Sequence, residues 1–261
     1  MQWFDGGVNL TNARFTEHLE QIIASAEQAG VVRMVVIGTN LEHSAAALQL
    51  CERFPQHLVA TVGIHPHDAE AAPRDFINQL RQFSQHPSVC AIGECGLDFN
   101  RNFSSRSAQL QVFEAQLQLA AERQLPVYLH ERDALTEQVT LLNRYAAAIP
   151  KLFTHCFTGG PEQLAVYQQL DCYIGITGWV CDERRGDDLQ RAVPLIAADR
   201  LILETDAPYL LPRNIRPRPR SNVPSYLPAI AEQVAQLRQQ PIAELAQQVW
   251  RNSTELFVTT G

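Results

Sequence analysis

Short runs of β-branched and apolar residues recur along this chain, each ending on a polar residue or glycine and each followed by a stretch with helical apolar spacing. The runs are Trp3–Asn9, Val32–Thr39, Leu58–His65, Val89–Glu94, Val127–His130, Leu152–His155, Cys172–Thr177 and Leu201–Asp206. Among the helical stretches, Thr16–Ala29 and Ser107–Arg123 have the clearest periodicity, and Gly30 stands where a helix C-cap is expected. Near-continuous apolar strands alternating with amphipathic helices predict a parallel sheet covered on its faces.

Spacing chooses between the two main parallel architectures. The terminal polar residues Asn9, Thr39, His65, Glu94, His130, His155, Thr177 and Asp206 follow one another at intervals of 22 to 36 residues. A (β/α)8 TIM barrel spends about 31 residues per unit. An open doubly wound sheet is the competing arrangement, but eight regular units and the lack of G-x-G-x-x-G count against it. The expected fold is therefore a TIM barrel, one domain spanning residues 1–261. Residues 225–258 supply its last barrel helix and an extra C-terminal helix.

Composition narrows the function classes. At 261 residues and 46% hydrophobic, the chain buries ample apolar surface without disulfide staples. With 21 Lys+Arg against 28 Asp+Glu the net charge is −7, which argues against a broad basic face coating duplex DNA and leaves a local phosphate site open. Six cysteines with no C-x-x-C pair are expected to be reduced thiols of a cytoplasmic protein. No signal peptide is expected at the N-terminus, and no apolar run approaches the roughly 18 residues of a membrane helix. Membrane partners are thus not expected, and a monomer is. Lys151, the only lysine, falls at the start of the sixth strand. That is the wrong end of a barrel for a Schiff-base nucleophile or a carboxylated-lysine metal bridge.

In a TIM barrel the active site forms at the C-terminal strand ends, which here carry His65, Glu94, His130, His155 and Asp206. A single imidazole at such a place is usually a satisfied structural residue. Five converging groups without partners would each cost roughly 2–7 kcal/mol, even counted as neutral polar groups. A divalent cation removes that cost, and mixed imidazole and carboxylate donors suit Zn²⁺, Mn²⁺ or Mg²⁺ rather than copper or an iron–sulfur cluster. Cys95 and Cys156 follow two of these residues, and strand alternation would aim both thiols away from the interior.

The segments Gly93-Glu94-Cys95-Gly96-Leu97-Asp98, Thr154-His155-Cys156-Phe157-Thr158-Gly159 and Leu203-Glu204-Thr205-Asp206-Ala207-Pro208 resemble the signatures of the TatD family of metal-dependent deoxyribonucleases. Val62-Gly63-Ile64-His65-Pro66 and Val127-Tyr128-Leu129-His130 fit the same pattern, and the resemblance runs from Phe4 to Phe257. Residues 98–102 and 178–185 are similar to the branch that shares the family's name. The resemblance implies a TIM-barrel 3′–5′ exonuclease acting on single-stranded DNA 3′ ends and on RNA. Its cofactor would be Mg²⁺, with Mn²⁺ and Zn²⁺ as alternatives and one or two ions bound. Residue by residue, Glu94, His130, His155 and Asp206 match the metal ligands. The departure lies in the first strand, where most members carry D-x-H-x-H and this chain reads Asp5-Gly6-Gly7-Val8-Asn9.

The implied chemistry is phosphodiester hydrolysis. Asp206 would orient the attacking water and accept its proton. Glu94 would bridge two ions if a second is recruited, and His65 would contact the scissile phosphate or protonate the leaving oxygen. His67 has two readings: a cap, with Asp68, for the following loop, or a substrate contact. Glu204 faces the site from a deeper layer or partners a ligating histidine. The segment 211–220 carries Arg213, Arg216, Arg218 and Arg220 without an acid, so its guanidinium forks suit phosphate oxygens, although three prolines also mark it as a stiff solvated loop. Arg101, Arg132, Arg184 and Arg185 extend that track, and Trp179, Phe99, Phe157 and Tyr209 are candidates for base stacking. The alternatives are an amidohydrolase cleaving a small cyclic amide or lactone with the same metal centre, and a non-catalytic binding protein on a degenerate barrel.

Overall fold

The computed structural model describes residues 1–258. Its strands are β1 Trp3–Val8, β2 Val31–Val36, β3 Leu58–Val62, β4 Val89–Asp98, β5 Val127–Arg132, β6 Leu152–Thr154, β7 Tyr173–Ile176 and β8 Leu201–Leu203. The α-helices are α1 Leu19–Gln28, α2 Leu41–Arg53, α3 Phe76–Phe83, α4 Arg106–Arg123, α5 Leu135–Tyr145, α6 Pro161–Gln169, α7 Asp187–Ala192, α8 Leu227–Arg238 and α9 Ile242–Phe257. One sheet takes the strands in the order β1 to β8. The pairs β3–β4, β4–β5, β5–β6 and β7–β8 are parallel. Beyond β8, Asp206 N–H donates to the Gly7 carbonyl and Asn9 N–H to that of Ala207, both at 2.8 Å, so the order returns to β1. This is the connectivity of a (β/α)8 barrel, and each of the eight predicted runs overlaps one strand. The helices α8 and α9 occupy residues 225–258 as expected, while residues 259–261 of the predicted domain lie outside those described.

The chain divides into two compact units. One, Val36–His155 with Leu170–Cys172, contains β3 to β6 and α2 to α5. Its core joins Leu58, Ile92, Leu97, Tyr128 and Phe153 from the strands to the α4 face of Phe113, Leu117 and Ala120. The other holds β1, β7, β8 and most of β2, with α1 and α6 to α9. There Phe4 of β1 packs its ring 5.9 Å from Phe257 and 6.1 Å from Trp250, both on α9. Among the described residues no helix is long and apolar enough to cross a membrane, and the six cysteines are thiols rather than disulfides.

The strand β4 runs four residues past the predicted end at Glu94. Gly93 and Gly96 have φ of +142° and +143°, and a Cβ on Gly96 would stand 1.9 Å from the His130 carbonyl oxygen. Only glycine tolerates both that φ and that approach. The register against β5 shifts between Ile92 and Cys95, after which Gly96, Leu97 and Asp98 pair with His130, Glu131 and Arg132. Sequence alternation carries no signal for this bend, because both glycines lack side chains.

Buried glutamines then hold the strand ends. Gln116 of α4 accepts from Ile64 N–H at 2.8 Å and donates to Ile64 C=O at 3.0 Å. Gln109 makes the same two-way contact with Asp98, at 2.8 and 3.1 Å. Gln138 of α5 accepts from Leu97 N–H. Backbone groups leaving a sheet need partners when buried. These amides supply them next to His65 and Asp98, at about 0.5–1.5 kcal/mol per bond.

Candidate functional site

Each unit collects its own set of chemistry-bearing side chains. In the first, β3, β4 and β5 deliver His65, Glu94 and His130, whose ligand atoms lie within 4.8 Å of one another. Glu94 Oε1 is 2.9 Å from His130 Nδ1, and His65 Nε2 is 3.2 Å from the same nitrogen. The backbone N–H of His67 donates to His65 Nδ1 at 3.1 Å. A neutral His65 therefore carries its proton on Nε2, facing Glu94 and His130. Burial pushes the His65 pKa down, which favours that neutral form.

His130 behaves oppositely. Burial alone would lower its pKa, but the Asp98 and Glu94 carboxylates hold it up to about 9. Burial would likewise raise Glu94, yet the imidazoles of His65 and His130 beside it keep it well below the usual carboxylate range. The His130–Glu94 pair thus shares a proton in a buried place where a neutral imidazole and an ionised carboxylate would both present lone pairs. A divalent cation can take the place of that proton, because both groups are metal ligands once it leaves. On that chemistry the residues fit a metal ion.

Behind them sits Asp98, 2% exposed, to which the sequence pattern assigns no role. Its Oδ1 accepts from the N–H groups of Asn100 and Arg101, and its Oδ2 is 2.6 Å from His67 Nε2 and 3.6 Å from His130 Nε2. Burial opposes ionisation of Asp98, but these partners hold it below the usual carboxylate range. Carboxylates that orient metal-ligating imidazoles in this way tune affinity and geometry. Of the two readings for His67, its ring lies on Asp98; Asp68 instead accepts from the Asn40 amide at 3.0 Å. In the same unit His155 is buried, with its Nδ1 2.8 Å from the Tyr128 hydroxyl.

In the second unit Asp206 follows β8 with φ of +52°. Its Oδ1 accepts from the Asn9 side-chain amide at 2.8 Å. Asn9, standing where the family motif has a histidine, thus donates to a carboxylate rather than offering its carbonyl oxygen. Asp5 is fully buried and accepts from Thr205 N–H and Oγ1–H and from Gly7 N–H. Burial raises it to about 7. These bonds lock the backbone beside Asp206.

Glu204 is buried as well, and its Oε1 accepts from Cys156 N–H. It holds the backbone just after His155. Cys156 departs from the alternation expected of it, since β6 stops at Thr154 and Cys156 has φ of +47°. Its Sγ lies within 4.8 Å of an Asp206 carboxylate oxygen.

The arginine loop divides in use. Arg213 is held by Asp182 at 3.0 Å, the same buried carboxylate that binds Arg185. Arg213 therefore ties its loop down, whereas Arg216 and Arg218 are exposed. Among the stacking candidates, Phe99 and Phe157 are buried and Arg185 lies over the Trp179 ring at 4.5 Å. Tyr209 is 47% exposed.

The family model described as TatD related DNase matches residues 4–258. The chain is 49% identical over 255 residues to the 3′-5′ ssDNA/RNA exonuclease TatD of Edwardsiella piscicida, covering 97% of this chain and 98% of that protein. The crystal structure of YJJV, a TatD homologue from Escherichia coli K12, superposes with a TM-score of 0.90 at 28% identity, covering 98% of both chains. Guanine deaminase from C. acetobutylicum shares the fold alone, with a TM-score of 0.56 at 11% identity over 98% of this chain and 71% of that one. With the motifs, the strand-end residues and these matches in agreement, the chain belongs to the TatD-related DNase family.

Proposed function

We propose that this protein is a 3′–5′ exonuclease that uses Mg²⁺ to hydrolyse single-stranded DNA from its 3′ end and also accepts RNA. The observation that carries the reading is the buried Glu94–His130 pair, whose shared proton a cation can replace. It is supported by the relatives' activity. Glu94, His130, His155 and Asp206 are the residues that would hold the ion, with Tyr128 orienting His155 and Asp98 lying behind His130. A divalent ion bound there would polarise a phosphoryl oxygen and acidify water. Six cysteines held as thiols rather than disulfides support a reducing cytoplasmic setting.

In this reading a water oxygen attacks phosphorus and the bond from phosphorus to the 3′ oxygen of the preceding nucleotide breaks. Asp206 takes the proton of the water, its carboxylate fixed by Asn9. The departing 3′ oxygen takes its proton from solvent water, and the Nε2–H of neutral His65, whose other nitrogen is engaged, donates a hydrogen bond to the scissile phosphate. Arg216 and Arg218 hold phosphates farther along the strand. Cleavage of a small cyclic amide or lactone is not favoured, since the likeness to guanine deaminase is one of fold.

The test is hydrolysis of end-labelled single-stranded DNA and RNA by enzyme loaded with Mg²⁺, Mn²⁺ or Zn²⁺, beside cyclic amides and lactones. Stepwise loss of 5′-nucleotides from the 3′ end is expected, and inertness on both nucleic acids would refute the reading. The Asp206→Asn enzyme is expected to stay folded and turn over about 10²-fold more slowly, the effect of removing one positioned proton acceptor. Near-normal kcat would remove Asp206 from the proton transfer. Arg216→Ala combined with Arg218→Ala is expected to raise KM and lower the slope of log affinity against log salt by about 0.7 for each phosphate no longer neutralised. An unchanged slope would leave this loop with a structural role only.

A further inference from the structure

Among the described residues Phe103 is the most exposed aromatic, at 67%. It does not sit on a loose loop. Between β4 and α4, Asp98 accepts from Asn100 and Arg101, Asn102 donates its side-chain amide to the Phe99 carbonyl, and Ser104 Oγ donates to the His67 carbonyl at 2.8 Å. Ser104 Oγ in turn accepts from Glu70 N–H, and Glu70 takes the backbone and hydroxyl of Ser105. An apolar ring is thus presented to solvent by a segment whose polar groups are tied on both sides.

What it is presented beside matters more. The Phe103 ring meets His67 edge-to-face with centroids 4.7 Å apart. His67 meets His65 at 4.3 Å, and His65 meets His130 at 4.4 Å. A continuous ladder of rings therefore leads from the Glu94–His130 pair out to Phe103. The ring is flanked in sequence by exposed Arg101 and Arg106, and Arg106 is already placed over Phe99 at 4.3 Å. A single exposed hydrophobe needs no explanation by itself. One that ends an aromatic ladder starting at a hydrolytic centre, beside cations, has the composition of a single-strand stacking platform.

We infer that Phe103, braced by His67, stacks on one of the two nucleobases that flank the scissile phosphate. The inference rests on the nuclease reading above and adds the ligand class of this position, an unpaired nucleobase. Every base has a π-face, so the contact tolerates any sequence. It requires a base free of its own duplex partners, and so favours frayed or single-stranded ends.

Two measurements test this on the full-length protein. Oligodeoxynucleotides with 2-aminopurine at the terminal or the penultimate 3′ position are bound to metal-loaded Asp206→Asn enzyme, in which they persist. Fluorescence quenching is expected at one of these positions, retained with Phe103→Trp added and abolished with Phe103→Leu. In the Asp206-containing enzyme, Phe103→Leu is expected to raise KM about tenfold with kcat held. The penalty should vanish on a strand made abasic at the quenched position. Quenching that is equal in the Phe103→Leu protein, or a KM penalty that persists on the abasic strand, overturns the assignment. Quenching through Phe103 without hydrolysis by any metal-loaded form would refute the nuclease reading and leave the stacking site standing. Hydrolysis with quenching indifferent to Phe103 does the reverse.

Discussion

Glu94→Gln is expected to leave a folded protein that no longer retains its metal and loses activity by about 10³-fold or more, a barrier increase of roughly 4 kcal/mol. Glu94 is the ionised member of the buried cluster, and its charge is one cause of the raised His130 pKa. Glutamine keeps the volume and one oxygen but removes the charge that a cation needs. The same variant should lower the pKa of His130 in metal-free protein from about 9, measurable by following its ring protons in an NMR titration. The sign for loading follows. His130 must lose its proton to become a ligand, so metal affinity in the unaltered protein should rise with pH up to about 9 and flatten above it. Affinity independent of pH between 7 and 9, or Glu94→Gln protein carrying a full metal complement by elemental analysis, would remove the Glu94–His130 pair from the metal site.

Gly96→Ala should be among the most damaging single-methyl additions in the molecule. The new carbon would fall 1.9 Å from the His130 carbonyl oxygen, a backbone atom, on a residue whose φ is +143°. That oxygen is not the free end of a flexible side chain, so β4 and β5 must separate where Gly96 pairs with His130. A cost of about 4 kcal/mol or more is expected, seen as a melting temperature lower by about 10 °C or more, or as failure to accumulate folded protein. Gly160→Ala is the control, since its nearest contacts would be at 3.5 Å and its φ is ordinary. It should change stability by about 1 kcal/mol at most. Equal melting temperatures for the two variants would show that β4 does not depend on glycine at its bend.

Much of the site is legible in the sequence because strand ends in this fold are also site positions. His65, Glu94, His130, His155 and Asp206 close runs whose apolar pattern is plain in one dimension, and their motifs are long. The role of Asp98 is not legible, although it stands inside one of those motifs. Its importance comes from β4 continuing past Glu94, and that continuation depends on two glycines that contribute nothing to a hydrophobic pattern. Asn9 misleads in a different way. As a replacement for a histidine it is a weak ligand, whereas its amide donates to Asp206 across 197 positions of sequence. The sequence points to Trp179, Phe99, Phe157 and Tyr209 rather than Phe103, and of these Phe99 and Phe157 prove to be core residues.

From the sequence alone come the eight-unit parallel architecture, the order of the strand-end His, Glu and Asp residues, and the family. These follow from periodicity, spacing and residue identity, which are properties of a line. Tertiary structure decided which polar group meets which: that His130 shares a proton with Glu94 while lying against Asp98, that Arg213 is held by Asp182 while Arg216 and Arg218 stay exposed, and that glutamines on α4 and α5 satisfy the strand ends. Protonation states and hydrogen-bond partners depend on burial and on distances of a few ångströms between residues far apart in the chain. No one-dimensional pattern encodes those distances.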